Sequence, residues 1–503
     1  MKRTLSLLSI FLFISFPLAQ TTFSSAQIIN SSVTGARDVY SGDLDGDGDT
    51  DVLSASAGDG TFDWYENDGT GNFGEKQTIH TGTYDHPFSV LTIDMDNDGD
   101  LDVVSSANGN VSWHENNGDA TSFNSYDISV ASGNTYAVHA ADIDDDGDVD
   151  VFAPSYGHNK VYWYENDGSE NFTRHIIATT INGAFYVFTT DLDSDGDQDV
   201  LACGLGNQVA WLENDGNENF TTHTITTNIT AATSVHSSDV DGDGDMDVLS
   251  SSRGDDRIAW YENDGNQNFT THIITSSADV AYSVLSLDID NDGDIDLFLT
   301  NIGTDTKKNK MSLGDIKKGQ KQDFKHILLQ NDGNFKFTEI SKEKGINGEG
   351  FGWGALLHDW DNDSNMDLIF SENTFLYPKH YLFPNPGQLF LGGSKKLKRN
   401  FKYPNRNFGQ TPLITDVNRD NKKDLIWINM SGPSLTYSNN NNNNYIIISL
   451  PMKAEFLNCR IVVDTGKKKF YRENIQGGTG FGGDTNDNNI QVGLGSISKI
   501  RSE

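Results

Sequence analysis

The sequence predicts an all-β protein: a β-propeller of four-stranded blades followed by a small C-terminal β module. Two observations carry this. A nine-residue loop with aspartate at every odd position, first seen as Asp43-Leu-Asp45-Gly-Asp47-Gly48-Asp49-Thr-Asp51, recurs along the chain, and the first six copies start 51, 48, 49, 48 and 49 residues apart. Between copies run four short segments of strand character parted by Gly, Asp and Asn turns, with no capped helical periodicity over residues 27–300. Four strands in a repeat of about 50 residues describe a propeller blade. With two degraded copies the chain has eight repeats, which allow seven or eight blades.

Taken in order, the chain begins with Lys2 and Arg3, an apolar run over residues 5–16, and small residues at Ala19 and Ala26. Residues 1–26 therefore read as a secretory signal, the apolar run being shorter than the roughly 18 residues a membrane anchor needs. The propeller is expected over 27–438. A repeat reads as a lead-in strand such as Ser283-Val-Leu-Ser-Leu, the Asp loop, and an apolar strand such as Asp247-Val-Leu-Ser-Ser. The turn Arg253-Gly-Asp-Asp, the strand Arg257-Ile-Ala-Trp-Tyr-Glu-Asn, the turn Asp264-Gly and the strand Asn268-Phe-Thr-Thr-His-Ile-Ile complete it. The recurring Trp64, Trp113, Trp163, Trp211 and Trp260 are expected to fill the wedge between neighbouring sheets rather than to act as sugar platforms. His175, His223, His272 and His326 are placed at one blade position, as packing or surface structure. Residues 305–325, with seven lysines, read as a solvated insertion, 439–444 as an Asn-rich linker, and 445–503 as the β module.

Composition narrows the partners. The net charge is −37, but residues 1–300 hold 8 Lys and Arg against 52 Asp and Glu, while residues 301–503 carry a surplus of 7 basic residues. An acidic propeller repels nucleic acid and anionic membrane surfaces, so neither nucleic-acid binding nor membrane insertion is expected. The two cysteines, Cys203 and Cys459, provide no disulfide framework, and Cys203 sits in an apolar run as a small hydrophobe.

Something else must stiffen the fold, and the Asp loops are the candidates. Aspartate is a hard oxygen ligand, and Ca²⁺ takes six to eight oxygens in flexible geometry, whereas Mg²⁺ demands a strict octahedron. Alternate side chains of a tight loop converge on one point. In the first loop the side chains of Asp43, Asp45, Asp47 and Asp51 and the backbone carbonyl of Asp49 are assigned as ligands. The corresponding sets are Asp94, Asp96, Asp98, Asp100 and Asp102; Asp142, Asp144, Asp146, Asp148 and Asp150; Asp191, Asp193, Asp195, Asp197 and Asp199; Asp239, Asp241, Asp243, Asp245 and Asp247; and Asp288, Asp290, Asp292, Asp294 and Asp296. The sixth position is Gly48, Gly99, Gly147, Gly196, Gly244 and Gly293, where the turn needs a positive φ. The second position is apolar in all eight loops, as an anchor to the core. Two carboxylates about 5 Å apart repel by about 3 kcal/mol at an effective dielectric near 20, so four of them cannot converge without a cation or protonation. The seventh loop keeps Asp359, Asp361, Asp363 and Asp367 but has Ser364 for glycine, a weaker site. The eighth keeps Asp416, Asp420 and Asp424 with Asn418, and has Lys422 and Lys423 inside it. About six to eight calcium ions are expected.

These residues resemble known families. Asp-x-Asp-x-Asp-Gly-Asp-x-Asp followed by Asp-Val-Leu is similar to the FG-GAP/VCBS repeats of integrin-type propellers over roughly residues 27–440. There the loops hold Ca²⁺ and the propeller serves adhesion and ligand recognition. The tail from Cys459-Arg460-Ile-Val-Val through Arg472-Glu-Asn-Ile and Gly480-Phe481 to Val492-Gly-Leu-Gly495 is similar to the ASPIC/UnbV module of the cartilage acidic protein family. Gly352-Trp-Gly-Ala and Asp359-Trp-Asp-Asn-Asp fit that family too. The stretch before the Arg460 strand is shorter than in the family, and the chain stops soon after Gly495.

The expected function is a secreted, calcium-stabilised propeller that binds an extracellular protein or glycan through its inter-blade loops. The alternative is a calcium-dependent polysaccharide-degrading enzyme. That needs one convergent set of unlike acid and base groups, whereas the conspicuous polar residues here recur once per blade and no nucleophile elbow or zinc motif is present. The sequence assigns no oligomeric state.

Overall fold

The computed structural model describes residues 26–81, 86–129, 133–169 and 171–276 without a break. Beyond these it describes mainly strands and adjoining residues as far as 495, together with Ile10–Phe13. Among the described residues the fold is nearly all β, with one four-residue helix, Ser341–Lys344. Blade 1 is the antiparallel meander Ala36–Gly42, Asp51–Ser56, Thr61–Tyr65 and Gln77–Thr81. Five more meanders follow, starting at Ser89–Ile93, His139–Ala141, Ala184–Thr190, Ala232–Ser238 and Ala281–Leu287. Blade 7 combines Ala355–His358, Asp367–Phe370, Gln388–Leu391 and Lys398–Asn400, with the hairpin Asn373–Leu376/Tyr381–Pro384 inserted between its second and third strands.

The eighth blade decides the blade count. Its own strands are Gly409–Thr415, Asp424–Asn429 and Gly432–Thr436, and its fourth is Gln27–Ile28 from the other end of the chain. Among the described residues each repeat thus builds one blade, eight in all, and Gln27–Ile28 completes the last of them. Packing closes the circle as well: Val39, Val52 and Tyr65 of blade 1 share a core with Leu413, Val417, Ile426 and Ile428 of blade 8. Comparable cores join each remaining pair of neighbours.

Burial follows position in the blade. The second strands, such as Asp51–Ser56 and Asp247–Ser252, are buried throughout, because sheets cover both their faces. The fourth strands, such as Phe220–Thr226, lie at the rim and are largely solvated. The tryptophans fill the wedges as expected. Trp163 is fully buried, stacks on His175 of its own blade at 4.5 Å and meets Phe220 of the next blade at 5.9 Å; Trp113 meets Phe172 in the same way. His175, His223 and His272 each stack on their blade's Trp and bond the glutamate of the Trp-x-Glu-Asn strand at 2.5–2.6 Å. His326 does not belong with them. It precedes the third strand of blade 6 and is fully buried between Phe298 and Phe370. The lysine-rich insertion sits between the second and third strands of that blade, which displaced the register read from the sequence. Cys203 is buried, with its thiol pushed well above the usual range by desolvation; Cys459 lies outside the described residues.

The C-terminal strands are less separate than the sequence suggests. Asn444–Ser449 pairs with Asn489–Gly495, and Arg460–Asp464 with Lys469–Glu473. Asp484–Thr485, however, runs parallel to Gly409–Thr415 and adds a fifth strand to the inner edge of blade 8. Ile10–Phe13, within the expected signal, pairs with Tyr445–Ile448. No helix among the described residues is long and apolar enough to cross a membrane.

Candidate metal centres

Each Asp loop joins the first strand of a blade to the second, so all the loops lie at one end of the ring. The turns between third and fourth strands share that end. The hairpins between second and third strands and the crossings between blades lie at the other.

The ninth aspartate closes the loop. Asp51 Oδ2 accepts the Leu44 N–H at 3.0 Å and Oδ1 the Asn67 N–H at 2.8 Å. The same pair of bonds recurs at Asp102, Asp150, Asp199 and Asp247. One carboxylate thereby ties the second residue of its loop to the Trp-x-Glu-Asn strand. Asp296 accepts the Asn331 N–H at 2.8 Å, and Asp367 accepts the Trp360 N–H at 2.9 Å. The apolar second residues Leu44, Met95, Ile143, Leu192, Val240, Trp360 and Val417 are all buried, as expected of anchors.

Within the loop, a ladder of short bonds aims the remaining carboxylates. The Asp47 N–H donates to Asp45 Oδ1 at 3.2 Å and the Asp49 N–H to Asp47 Oδ1 at 2.8 Å, and loops 2 to 5 repeat the pattern. The sixth glycines of loops 1 to 5 have φ from 87° to 105°. The fourth residues Gly46, Asn97, Asp145, Ser194 and Gly242 also adopt positive φ, 60° to 77°. Gly, Asn and Asp tolerate that region best, a signal the sequence carried unread.

In loops 1 to 5, three carboxylates bring one oxygen each within 4.8 Å of one another: Asp43, Asp45 and Asp51; Asp94, Asp96 and Asp98; Asp142, Asp144 and Asp146; Asp191, Asp193 and Asp199; Asp239, Asp241 and Asp243. Burial raises the carboxyls of Asp51 and Asp150 to about 8 and those of Asp102, Asp199 and Asp247 to about 7. Burial, and then the neighbouring carboxylates, raise Asp142 and Asp144 to about 6. One further atom tests the fit. The Oδ1 of Asp43, Asp94, Asp142 and Asp191 is buried and has no hydrogen-bond partner in the protein. A buried carboxylate oxygen left unpaired costs free energy, and each of these carboxylates belongs to a cluster whose oxygens lie within 4.8 Å of one another. An all-oxygen donor set with an orphaned acceptor fits a hard cation.

The seventh aspartates turn away from this cluster. Carboxylates of Asp49, Asp100, Asp148, Asp197 and Asp245 lie against Gly69, Gly118, Gly168, Gly216 and Gly265 of the neighbouring turn, where an added Cβ would collide with them. That agrees with a backbone rather than a side-chain role at this position. Asp288, Asp290, Asp292, Asp294, Asp361 and Asp363 lie outside the described residues.

Sequence reasoning missed the asparagine of Trp-x-Glu-Asn. Asn166 is buried; its Nδ2 donates to Val149 O of its own loop at 3.3 Å and to Met95 O of the preceding blade's loop at 2.8 Å, while Oδ1 accepts the Gly168 N–H. Asn67, Asn116, Asn214, Asn263 and Asn331 make the same crossing. From the eighth loop round to the sixth, each loop is thus stitched to the next by one amide. Replacing it leaves buried carbonyls and an N–H unpaired, so Asn166→Ala is expected to cost about 2–4 kcal/mol in denaturant unfolding at saturating calcium. Asn171→Ala, in an exposed turn, should cost far less. Equal losses for the two variants would refute the stitching role.

The ring of blades with a carboxylate loop at every first turn defines a repeat β-propeller with candidate cation centres. The FG-GAP-like repeat model matches residues 43–105, 94–153, 142–202, 191–250 and 239–299, and the chain belongs to this family. Each match runs from one Asp loop into the second strand of the following blade. No curated protein matches the chain. Among solved structures, it is similar to an Agrocybe aegerita lectin described as recognising non-reducing terminal N-acetylglucosamine, with 18% identity, 62% of this chain and 79% of that chain covered, and a TM-score of 0.41. It is also similar to BBS1N in complex with ARL6DN, with 8% identity, 83% and 96% covered and a TM-score of 0.43. A protein from Lactobacillus plantarum gives 15% identity, 60% and 83% covered and a TM-score of 0.41.

Proposed function

We propose that this chain is a secreted propeller in which calcium fills the carboxylate loops as structural staples, leaving the opposite face to bind an extracellular glycan or protein. The orphaned Oδ1 of the first aspartate, repeated in four loops, carries the cation half of this reading. Asp43, Asp45, Asp47 and Asp51 would hold the ion in loop 1, and their counterparts would do so in the following loops. Bound calcium would supply charge compensation, letting carboxylates that otherwise repel close the turn.

The binding half is supported by the end of the ring away from the loops. The residues that open the inner strands of blades 2, 3 and 4 are Phe88, Tyr136 and Phe185. Phe88 and Phe185 lie 4.6 and 5.2 Å from Tyr136, Arg37 of blade 1 lies over Phe88 at 4.8 Å, and the exposed Tyr156 meets Tyr136 at 5.9 Å. Phe88 and Phe185 are themselves buried, so the exposed Tyr156 and the half-buried Tyr136 offer the aromatic faces, which suit saccharide rings or aromatic protein side chains. A glycan array and an extracellular-protein pull-down, each with calcium and with chelator, test this. Ligand capture that Tyr156→Ala abolishes without lowering the melting temperature is expected. Capture unaffected by that change removes this face from consideration.

A further inference from the structure

We propose that the eighth loop, Asp416–Asp424, is not an ion site: Lys422 carries its cation, and its Arg419 positions the first loop across the ring closure. This rests on the calcium reading of the other loops and concerns the one described loop whose residues do not fit an ion.

The charges differ first. Loop 1 holds five aspartates and no basic residue, whereas Asp416–Asp424 holds three aspartates with Arg419, Lys422 and Lys423 and is formally neutral. The geometry differs too. Lys422 occupies the seventh position, where in loops 1 to 5 an aspartate turns away from the cluster; its Nζ donates to Asp420 Oδ2 at 2.8 Å. The Asp420 N–H donates to both Asp416 Oδ1 and Asn418 Oδ1 at 3.1 Å. The first-aspartate oxygen orphaned in loops 1 to 4 therefore has a donor here. Among the described residues, Asp416, Asp420 and Asp424 do not converge as the carboxylates of loops 1 to 5 do.

The fourth residue then becomes available for another role. Arg419 adopts the left-handed conformation shared by this position in loops 1 to 5, with φ 54°. From there its side chain crosses to blade 1. Nε donates to Gly48 O and a terminal nitrogen to Asp47 O, both at 3.0 Å, and the guanidinium pairs with the Asp49 carboxylate. It grips the two carbonyls just before the one assigned to the ion. A planar, permanently charged fork suits that task, since it fixes two acceptors and a carboxylate at once. The same seam is bridged more weakly elsewhere, where Asn97 Nδ2 donates to Asp148 Oδ1 at 2.6 Å. Arg419 is a positioning residue for the first site.

The test uses the full chain stripped of metal, then dialysed against calcium, with bound ion counted by mass spectrometry and site affinities read from a chelator titration. Lys422→Asp, which restores the seventh acid, is expected to gain one ion per chain over the wild type. Arg419→Gln is expected to keep the wild-type count at saturating calcium while weakening one site about tenfold or more, the usual effect of losing an outer-shell partner. Circular dichroism in calcium confirms folding, and Lys422→Asn serves as the milder variant if Lys422→Asp unfolds. An unchanged ion count in the lysine variants, or an Arg419→Gln titration that superimposes on the wild type, overturns the proposal. A wild-type chain that binds no calcium at all defeats the underlying reading instead.

Discussion

Stripping calcium from the protein is expected to lower its melting temperature by well over about 10 °C. The reason is additive linkage. An ion that binds only the folded state stabilises by about 2.7 kcal/mol at a concentration one hundred times its dissociation constant. Five described loops bring their carboxylates together in the same way, so even weak extracellular-type affinities sum to a large term. For a large domain each kcal/mol shifts the transition by about 2–4 °C. Without the ion the loops must protonate or open. Opening releases more than surface turns, because each of loops 1 to 5 is hydrogen-bonded by an asparagine to its neighbour. Calorimetry with excess calcium and after exhaustive chelation measures this. Coincident traces would rule out calcium as the staple.

The loops were legible in the sequence because ligand geometry leaves a mark at short range: alternate aspartates, a glycine at the sixth place, an apolar residue at the second. The blade was legible for the same reason, since all its strands fall within one repeat. What was not legible depends on long-range pairing. Gln27–Ile28 carries no signal that it completes a sheet with Gly432–Thr436, and only that pairing settles the count at eight. Asn166 and its counterparts stood in plain view in Trp-x-Glu-Asn. Their role needs the preceding blade's carbonyl, such as Met95 O, 71 residues away. Repetition of a small polar residue at a strand end, next to an anchor that is buried in every copy, was the available clue. The repeated Asn-Phe-Thr has a local explanation: the amides of Asn171, Asn219 and Asn268 bond Asp167, Asp215 and Asp264 at 3.0–3.1 Å, closing each turn. His326 was misplaced because an insertion inside a hairpin preserves the strands but breaks the spacing from which positions are read.

Stability should depend on pH in opposite directions with and without calcium. In the ion-free protein the latching carboxyls titrate near 7 to 8, against an ordinary value of 3.8. A folded-state value raised above the unfolded one means that the native state binds more protons throughout the interval between them. Stability then falls as pH rises from about 4 to about 8. At low pH Asp51 and Asp150 stay neutral and their loops can close; at high pH each must ionise within a buried cluster or open. Calcium reverses the slope, because its ligands must be ionised and protons compete with the metal. The two melting curves should therefore lie close together near pH 4.5 and separate progressively towards pH 8. Fluorimetric melting of metal-stripped protein, with and without added calcium, tests both arms in one experiment. Stability of the stripped protein that rises between pH 4.5 and 7.5 would show that its latching carboxyls are not held neutral. A calcium-dependent gap that narrows over the same interval would place the ion somewhere other than on these carboxylates.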